Sequence, residues 1–434
     1  MKSFTLSKLA LVTVFSTLAL TACEDKAPIT PKSEKAQTTQ TTQMAQTSKA
    51  ETIAEQANRI AQATIIIDTH IDVPYRLDHE YEDVSMATAK GDFDYPRAVK
   101  GGLNAPFMSI YIPSKLQKTG GSKALADKLI DDVEAIVKQS PDKFALAYST
   151  EQVKNNFAKG LISLPMGMEN GSPIAGDLAN LQHFYDRGIR YITLAHAKTN
   201  HISDSSYDEN RPAQGLTDFG KKLIVAMNNV GVMVDISHVS DQAFYQVMEI
   251  SKVPAIASHS SARFFTPDFE RNMSDDMIKL LAKNGGVIQM TFSGIFTSQK
   301  FREQSAVYKP LKAEFIKANN LNEEIAADKS KIDAFEEAYE LENPYHVGTL
   351  DLVLDHFDHV IKLVGIDHVG IGSDFDGVSG ILPATLKDVA SYPNLITGLL
   401  ERGYSEAEIK KLLSGNIMRV WQQVEDYAAA HKAP

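Results

Sequence analysis

The sequence contains a histidine and an aspartate two residues apart, a spacing that suits metal binding. They are His70 and Asp72, in the segment Asp68-Thr69-His70-Ile71-Asp72. On a continuing strand, residues i and i+2 point to the same face, so an imidazole nitrogen and a carboxylate would lie together. A capped turn would use the aspartate in the same way, so the pair indicates a metal site only if further ligands accompany it.

Other apolar runs of the sequence also end in metal-binding residue types. His238 and His259 each follow such a run. A histidine satisfied within the core is the ordinary interpretation of either one, but together with His70 they favour a shared role. The carboxylates that accompany them are Asp72, Glu169 and Asp374. Zn²⁺ accepts both donor types, and two ions that share a hydroxide stabilise a hydrolytic transition state, so the set predicts two zinc ions bridged by one carboxylate.

The remaining histidines are not accompanied by other candidate ligands at the end of an apolar run. The exception is His196, which ends the fourth run. His356 and His359 have an i, i+3 spacing, but no glutamate base or third ligand accompanies them. We expect them to be surface or helix-packing residues. The same expectation covers His79, His183, His201, His346, His368 and His431.

Eight short β-branched runs alternate with helical stretches after residue 52, which is typical of βα units around a parallel sheet. They span residues 64–67, 105–111, 161–166, 190–194, 232–236, 255–257, 287–291 and 369–371. A doubly wound sheet could accept the same order. In a barrel, however, the carboxyl ends of all strands meet on one face, whereas an open sheet spreads them too widely to share one ion. The ligand positions therefore predict a (β/α)₈ TIM-type barrel in the α/β class.

One stretch departs from this alternation. Residues 312–342 are dense in Glu, Lys and Ala, with large apolar residues at helical spacing. We expect an additional helical pair in the seventh βα loop, placed where it could act as a lid.

Composition excludes several classes of function. Of the 434 residues, 43% are hydrophobic and 23% are charged, and the net charge is −11, so binding to nucleic acid is not expected. The single cysteine excludes an internal disulfide and a cysteine-based zinc site.

The amino-terminal segment is typical of an export signal. Residues 1–22 carry Lys2 and Lys8 before an apolar run too short to span a membrane comfortably. The segment Leu20-Thr21-Ala22-Cys23 resembles the lipobox of bacterial lipoproteins, in which the cysteine is acylated. The alternative is a plain secretory signal with an incidental Cys23.

The lipobox predicts that Cys23 anchors the mature protein to a membrane of the bacterial cell envelope, on the periplasmic side. Residues 23–52 are poor in large apolar residues and are expected to form a disordered tether. Residues 53–425 would then form the barrel domain, and residues 426–434 a carboxyl-terminal tail.

At this point the sequence resembles the membrane (renal) dipeptidases, zinc peptidases of the amidohydrolase type. The resemblance runs from about residue 60 to 422. Its motifs are Asp68-Thr69-His70-Ile71-Asp72, Met168-Glu169-Asn170-Gly171, Tyr191-Ile192-Thr193-Leu194-Ala195-His196, Asp235-Ile236-Ser237-His238-Val239-Ser240, Ser258-His259-Ser260, Arg271-Asn272-Met273-Ser274-Asp275-Asp276, Gly372-Ser373-Asp374-Phe375-Asp376-Gly377 and Gly415-Asn416-Ile417-Met418-Arg419-Val420.

The resemblance implies hydrolysis of dipeptides and a role for each site residue. His70 and Asp72 would bind one zinc ion, His238 and His259 the other, and Glu169 would bridge both. His196 would contact the substrate and the tetrahedral intermediate. Arg271 would hold the free carboxylate of the substrate, and Asp374 would handle the proton of the bridging water. The resemblance also suggests a homodimer and tolerance of a D-residue at the second position.

Two features depart from the family pattern. Asn170 stands where the family usually has a glycine after the bridging glutamate, and the 312–342 insertion is longer than expected. Both bear on substrate preference rather than on the metal chemistry.

Alternatives remain at individual residues and for the whole protein. Arg271 could pair with Asp275 or Asp276 on a helix face, and Asp376 and Gly377 could simply form a turn. Another amidohydrolase reaction, on a cyclic amide, a lactone or a deaminase substrate, would suit a carbamylated Lys198. A lipid-anchored protein that binds peptides without turnover is a further alternative.

Overall fold

The computed structural model describes residues 51–322, 325–344, 346–378 and 380–431. The strands of this part of the chain are β1 Ile66–Ile71, β2 Leu103–Tyr111, β3 Phe144–Leu146, β4 Ile162–Leu164, β5 Met166–Glu169, β6 Ile189–Thr193, β7 Met233–Asp235, β8 Ile256–Ser260, β9 Val287–Met290 and β10 Val369–Ile371.

The α-helices lie between and around these strands. They are α1 Ile53–Ala63, α2 Val73–His79, α3 Tyr95–Gly101, α4 Leu116–Thr119, α5 Ser122–Gln139, α6 Thr150–Ala158, α7 Leu178–Asp186, α8 Asp218–Val230, α9 Asp241–Ile250, α10 Asp275–Lys283, α11 Gly294–Thr297, α12 Gln299–Ala318, α13 Ala326–Glu342, α14 Leu350–Val364, α15 Tyr392–Glu401, α16 Glu406–Lys410 and α17 Asn416–His431. Short 3₁₀ segments span Ser172–Ile174, Arg263–Phe265, Ile366–His368, Ala384–Leu386 and Val389–Ser391, and a π-turn spans Lys411–Gly415.

Eight of the strands form one parallel sheet that curls into a nearly closed barrel. Their order is β1-β2-β5-β6-β7-β8-β9-β10. The last gap is closed by a parallel bridge between Ile71 and Phe375. There the Asp72 N–H donates to the Phe375 carbonyl at 2.8 Å and the Asp374 N–H donates to the His70 carbonyl at 3.1 Å. The predicted TIM-type (β/α)₈ barrel is confirmed, and the doubly wound alternative is wrong.

The third predicted run is wrong in its bounds. Residues 161–166 divide at Pro165, which has no N–H to donate to a ladder. Before it, β4 pairs with β3 in a separate two-stranded parallel sheet. After it, β5 joins the barrel between β2 and β6. Glu169 is therefore the last residue of a barrel strand. β1 and β8 also extend further than predicted, so His70 and His259 lie within strands.

The predicted helical pair in the seventh βα loop is confirmed, but it begins earlier, at Gln299. It consists of α12 and α13, which follow β9 and precede the barrel helix α14. Their contact is aromatic: the Phe315 and Phe335 rings stack at 4.2 Å, and the Tyr308 and Tyr339 rings lie 4.8 Å apart.

The end of the barrel away from the ligands is filled by Trp421, which is fully buried and 5.2 Å from the Phe107 ring. Trp421 belongs to α17, which continues to His431 with Ala428 buried. The expected separate tail from residue 426 is therefore the end of this helix, as far as His431. Cys23 and the expected tether as far as residue 50 lie outside the described residues, and Thr52, the last residue of that predicted segment, is the N-cap of α1. No described helix is long and apolar enough to cross a membrane.

Candidate metal centre

The carboxyl ends of the barrel strands bring the predicted ligands together. Three overlapping groups each place one donor atom per residue within 4.8 Å of the others. They are His70 with Asp72 and Glu169, His70 with His259 and Asp374, and Glu169 with His196 and His238.

Glu169 lies between two sets of donors, one facing each of its oxygens. Its Oε1 is 3.2 Å from His238 Nε2, 3.3 Å from His259 Nε2 and 3.4 Å from His196 Nε2. Its Oε2 is 3.5 Å from His70 Nε2. Burial raises the pKa of Glu169. The charges of His196 and His70 and the hydrogen bonds of His238 and His259 lower it by more, so the pKa lies well below its usual range. The buried carboxylate is thus ionised and surrounded by imidazoles.

His238 and His259 bring their ring nitrogens close to each other. The two Nε2 atoms are 2.8 Å apart. Burial, reinforced by the Arg271 charge, lowers the pKa of His238 well below its usual value, and burial together with His70 does the same for His259. Both rings are therefore neutral and can each offer a lone pair to a cation.

His70 and Asp72 complete the other side of the cluster. His70 Nε2 is 3.5 Å from Asp72 Oδ2, yet His70 Nε2 and Asp72 Oδ1 are both buried without a hydrogen-bond partner. Burial lowers the pKa of His70, but Tyr191, Glu169 and Asp72 raise it more, to well above its usual value. The acidic surroundings of His70 therefore favour a positive charge at this point.

The donor set fits a metal ion. Ligand atoms about 2.1 Å from a tetrahedral zinc ion lie roughly 3.4 Å from one another, and most separations around Glu169 fall between 3.2 and 3.5 Å. Unpartnered buried acceptors cost free energy unless a cation or donor satisfies them.

Sequence patterns did not predict the two side chains that hydrogen-bond to the outer ring nitrogens of His70 and His259. The Tyr191 hydroxyl is 2.8 Å from His70 Nδ1. On the other side, Ser258 Oγ is 2.9 Å from His259 Nδ1 and donates to Asp235 Oδ2 at 2.6 Å. Bonds of this kind fix the tautomer and orientation of ligating histidines. The alternation of β6 and β7 places Tyr191 and Asp235 inside the barrel, which was the available signal.

Asp374 follows β10 in a left-handed conformation, with φ 69°. Burial raises its pKa well above the usual range, and Asp72 and Glu169 raise it further. A side chain at Gly377 would collide with Asp72 Oδ2 and Asp374 Oδ1. The turn at Asp376 and Gly377 therefore also shapes the site. Asp376 accepts a hydrogen bond from Arg76 Nε at 3.0 Å, and Gly377 leaves room for the carboxylates of Asp72 and Asp374.

Arg271 points into the site rather than along a helix face. Its Nη2 donates to the His259 carbonyl at 2.7 Å and lies 3.0 Å from His238 Nε2, while its buried Nε has no partner. The alternative pairing is wrong, because Asp275 contacts His359 and Asp276 contacts Lys279.

Asn170 occupies a position where the backbone requires a left-handed residue, with φ 75°. Asparagine tolerates this conformation better than most residues other than glycine. Its Nδ2 donates to the Ile112 carbonyl at 2.8 Å, and its Oδ1 accepts from Asn200 Nδ2 at 3.0 Å. The departure from glycine therefore adds hydrogen bonds directly after Glu169.

Lys198 does not reach the cluster. Its side chain is 58% exposed and its Nζ lies 3.4 Å from Asp208. A bridging carbamylated lysine is therefore not available from this position.

The histidines outside the cluster pack or face solvent, as expected. His356 is a packing residue of α14: its Nδ1 accepts from the Ala262 N–H at 3.1 Å, and burial lowers its pKa to about 4. His201 is half-buried, and its Nε2 has no partner within the described chain.

A cavity of about 550 Å³ opens onto the cluster. His196 lines it with a partly exposed ring, next to Tyr111, whose ring lies 5.0 Å away. Its other walls include Tyr75, Tyr207, Phe296 and Val378. A small ligand with a polar backbone and apolar side chains would fit this space.

A parallel barrel with imidazoles and carboxylates at its strand ends defines a metal-dependent hydrolase. Residues 54–434 match the family described as "Membrane dipeptidase (Peptidase family M19)". The chain belongs to this family and is a metallo-dipeptidase.

Relatives and solved structures agree. The chain is 30% identical over 386 residues to an uncharacterized dipeptidase of Schizosaccharomyces pombe, covering 85% of this chain and 83% of the relative. It is 31% identical to mouse Dipeptidase 3, covering 86% and 67%. The crystal structure of the probable dipeptidase PvdM from Pseudomonas aeruginosa has a TM-score of 0.74 at 26% identity, covering 87% of this chain and 99% of that one. A metallopeptidase from Rhodobacter sphaeroides, liganded with a phosphinate mimic of L-Ala-D-Ala, shares the fold with a TM-score of 0.66 at 23% identity, covering 83% and 99%.

Proposed function

We propose that this dipeptidase binds two zinc ions and hydrolyses dipeptides that have a free C-terminal carboxylate. The observation that carries the proposal is the arrangement around Glu169, whose Oε1 faces three imidazoles and whose Oε2 faces the His70 imidazole. His70 and Asp72 would hold one ion, His238 and His259 the other, and Glu169 both. Zinc ions there would supply an activated water and polarise the scissile carbonyl.

The surrounding residues divide the remaining tasks. Asp374, buried beside the cluster, accepts the proton of the attacking water and passes it to the leaving amine. His196, whose pKa is lowered by burial, is neutral and donates a hydrogen bond to the carbonyl oxygen as negative charge develops.

Arg271 would bind the C-terminal carboxylate of the dipeptide. Its guanidinium is a planar fork suited to a carboxylate, and no described carboxylate forms an ion pair with it. A cation next to the cluster thus restricts the substrate to short peptides ending at this point.

The test is the rate of the zinc-loaded full chain on L-Ala-L-Ala, L-Ala-D-Ala and their C-terminal amides, with and without chelator. We expect chelator-sensitive cleavage of the free acids. Arg271→Ala should raise KM for the free acids about 100-fold and leave the amides unaffected. Asp275→Asn is the matched control. Equal effects of Arg271→Ala on acids and amides would refute its role, and peptide binding without turnover would refute the hydrolytic function.

We further propose that the mature protein is anchored to the bacterial envelope through acylated Cys23, on the periplasmic side. The lipobox-like segment before Cys23 supports this. Cys23→Ser should move the protein from the membrane fraction to the soluble fraction, and the intact mass of the wild type should include acyl chains. An unchanged membrane fraction would contradict the anchor.

A further inference from the structure

A second cavity, of about 460 Å³, is bordered by the loops that follow β2, β5 and β6. None of its lining residues lines the cavity over the metal cluster. The part of the chain that lines it contains no carboxylate, and its one charged side chain is that of Lys123, whose Nζ lies 3.1 Å from Asp127 Oδ2. Such a wall offers no ligand charge to a cation and does not itself repel an anion.

α5 begins at this cavity without a side-chain cap. Its N-cap is Gly121, in a left-handed conformation with φ 96°, which has no side chain that could accept a hydrogen bond from the helix. Among the described residues, no acceptor meets the backbone N–H groups of Ser122 and Lys123, which line the cavity. The first N–H groups of an 18-residue helix carry a partial positive charge and therefore favour an anion.

Ser172 gives an independent indication of a ligand. The 3₁₀ turn that it begins packs against α5, and Ser172 lines the cavity. The residue is only 5% exposed, yet its Oγ has no hydrogen-bond partner in the described chain. A buried hydroxyl without a partner costs free energy unless a ligand satisfies it.

His201 adds a donor from a third loop. It lines the same cavity, and its ring is held against the Phe219 ring at 5.5 Å, with a buried Nε2 that has no described partner. Burial lowers the pKa of His201, so the ring is neutral and carries one N–H group that it can donate. The loops after β2, β5 and β6 thus each contribute a donor to this cavity.

Donors from three loops favour a ligand that has several acceptor oxygens. A carboxylate presents its two oxygens in one plane, whereas the oxygens of a phosphate group point in tetrahedral directions. Backbone N–H groups at a helix start, together with hydroxyl and ring N–H groups, are suited to such an oxyanion.

We propose that this second cavity binds a phosphate-type oxyanion, free or as a monoester, through the N-terminus of α5, the Ser172 hydroxyl and the His201 ring. The site goes beyond the proposed function, since it uses no residue of the dipeptide cavity. An ion bound there would join the loops that follow β2, β5 and β6.

The experiment measures binding of inorganic phosphate to the zinc-loaded full chain by equilibrium dialysis. Because phosphate is also a ligand for zinc, its inhibition of Ala-Ala hydrolysis is measured in parallel and reports the metal centre alone. We expect Ser172→Ala to raise the Kd for phosphate at the second cavity about tenfold and to leave the inhibition constant unchanged. His201→Phe, which removes the ring donor, should also weaken binding and tests the site without altering Ser172.

Ser206→Ala is the matched control. Its Oγ is also buried without a described partner, but Ser206 lines neither cavity, so the Kd should equal that of the wild type. If Ser172→Ala and His201→Phe bind phosphate as tightly as Ser206→Ala, the proposal is wrong. It is equally wrong if their loss of bound phosphate is matched by a rise in the inhibition constant, because all the phosphate is then at the metal centre.

Two further ligands define what the site accepts. Acetate that binds as tightly as phosphate would contradict a site for tetrahedral oxyanions. Glycerol 3-phosphate that binds more tightly than phosphate would identify a monoester as the ligand, and weaker binding would identify free phosphate. A chain that cleaves no dipeptide but shows the loss in Ser172→Ala would overturn the proposed function and leave the second site intact.

Discussion

Every ligand-bearing strand end is fixed by neighbours on both sides, whereas α12 and α13 meet the rest of the protein through few buried side chains. β1, β5 and β8 are buried along their whole length. In α12 the buried residues are Phe301 and Tyr308, and in α13 Ile332 is buried. Packing against many buried side chains therefore fixes the positions of the strand ends, whereas few buried side chains fix the position of the helical pair.

This difference in packing matters for the chemistry of the site. Catalytic groups must hold their positions closely, which packed strands allow. A peripheral helix can change its side chains with little cost to stability. We therefore expect substitutions at the strand ends to abolish turnover, and substitutions of exposed residues on α12 and α13 to have little effect on stability.

Glu169→Gln should have the largest effect. Losing the charge that faces both imidazole sets removes the common ligand, so bound zinc and activity should fall together, activity by at least about 10,000-fold. Zinc content by elemental analysis and turnover of Ala-Ala measure this. Glu270→Gln, outside the cavity, is the control, and retention of two zinc ions by Glu169→Gln would exclude a bridging role.

Asp374→Asn should lower kcat about 1000-fold, because an amide cannot accept and return the proton. We expect zinc content to stay unchanged, which a binding titration checks. Loss of zinc instead would identify Asp374 as a ligand rather than a proton carrier.

Tyr191→Phe should weaken zinc binding about 10- to 100-fold, since the hydroxyl that orients His70 is lost. Competition with a chromophoric chelator gives the affinity. Tyr245→Phe, on the exposed face of α9, serves as the comparison, and equal affinities in the two variants would show that the hydroxyl has no orienting role.

Leu341→Ser should change the free energy of unfolding by less than about 0.5 kcal/mol, because the side chain is 85% exposed on α13. Phe107→Ala, in the barrel interior, should cost about 3 to 5 kcal/mol. Denaturant titrations of both variants compare the two regions directly. A large loss for Leu341→Ser would mean that the helical pair is held as firmly as the barrel.

Most of the cluster could be predicted from the sequence because ligands follow strands, and the carboxyl ends of parallel strands meet. His70, Glu169 and His259 were found in this way. The break at Pro165 was not predicted, because the apolar run is continuous in the sequence and does not indicate that the partner strand changes. The role of Arg271 was ambiguous from the sequence, because Asp275 and Asp276 follow it at a spacing that allows ion pairs on a helix. The structure shows that both aspartates contact other residues. Strand alternation indicates that Tyr191 and Asp235 face the barrel interior. It does not predict that Tyr191 bonds to His70 or that Ser258 bonds to Asp235, because each of these pairs joins different strands.

The closure of the barrel has a thermodynamic consequence. β1 and β10 meet through the backbone of Asp72 and Asp374, next to the side chains proposed to surround the metal. An ion held by His70, Asp72 and Glu169 would fasten the β1 side of this closure to β5, so metal occupancy and folding are linked. Chelation should therefore act as a local denaturant, with hydrogen–deuterium exchange at these two amides accelerating before the remaining strands become labile.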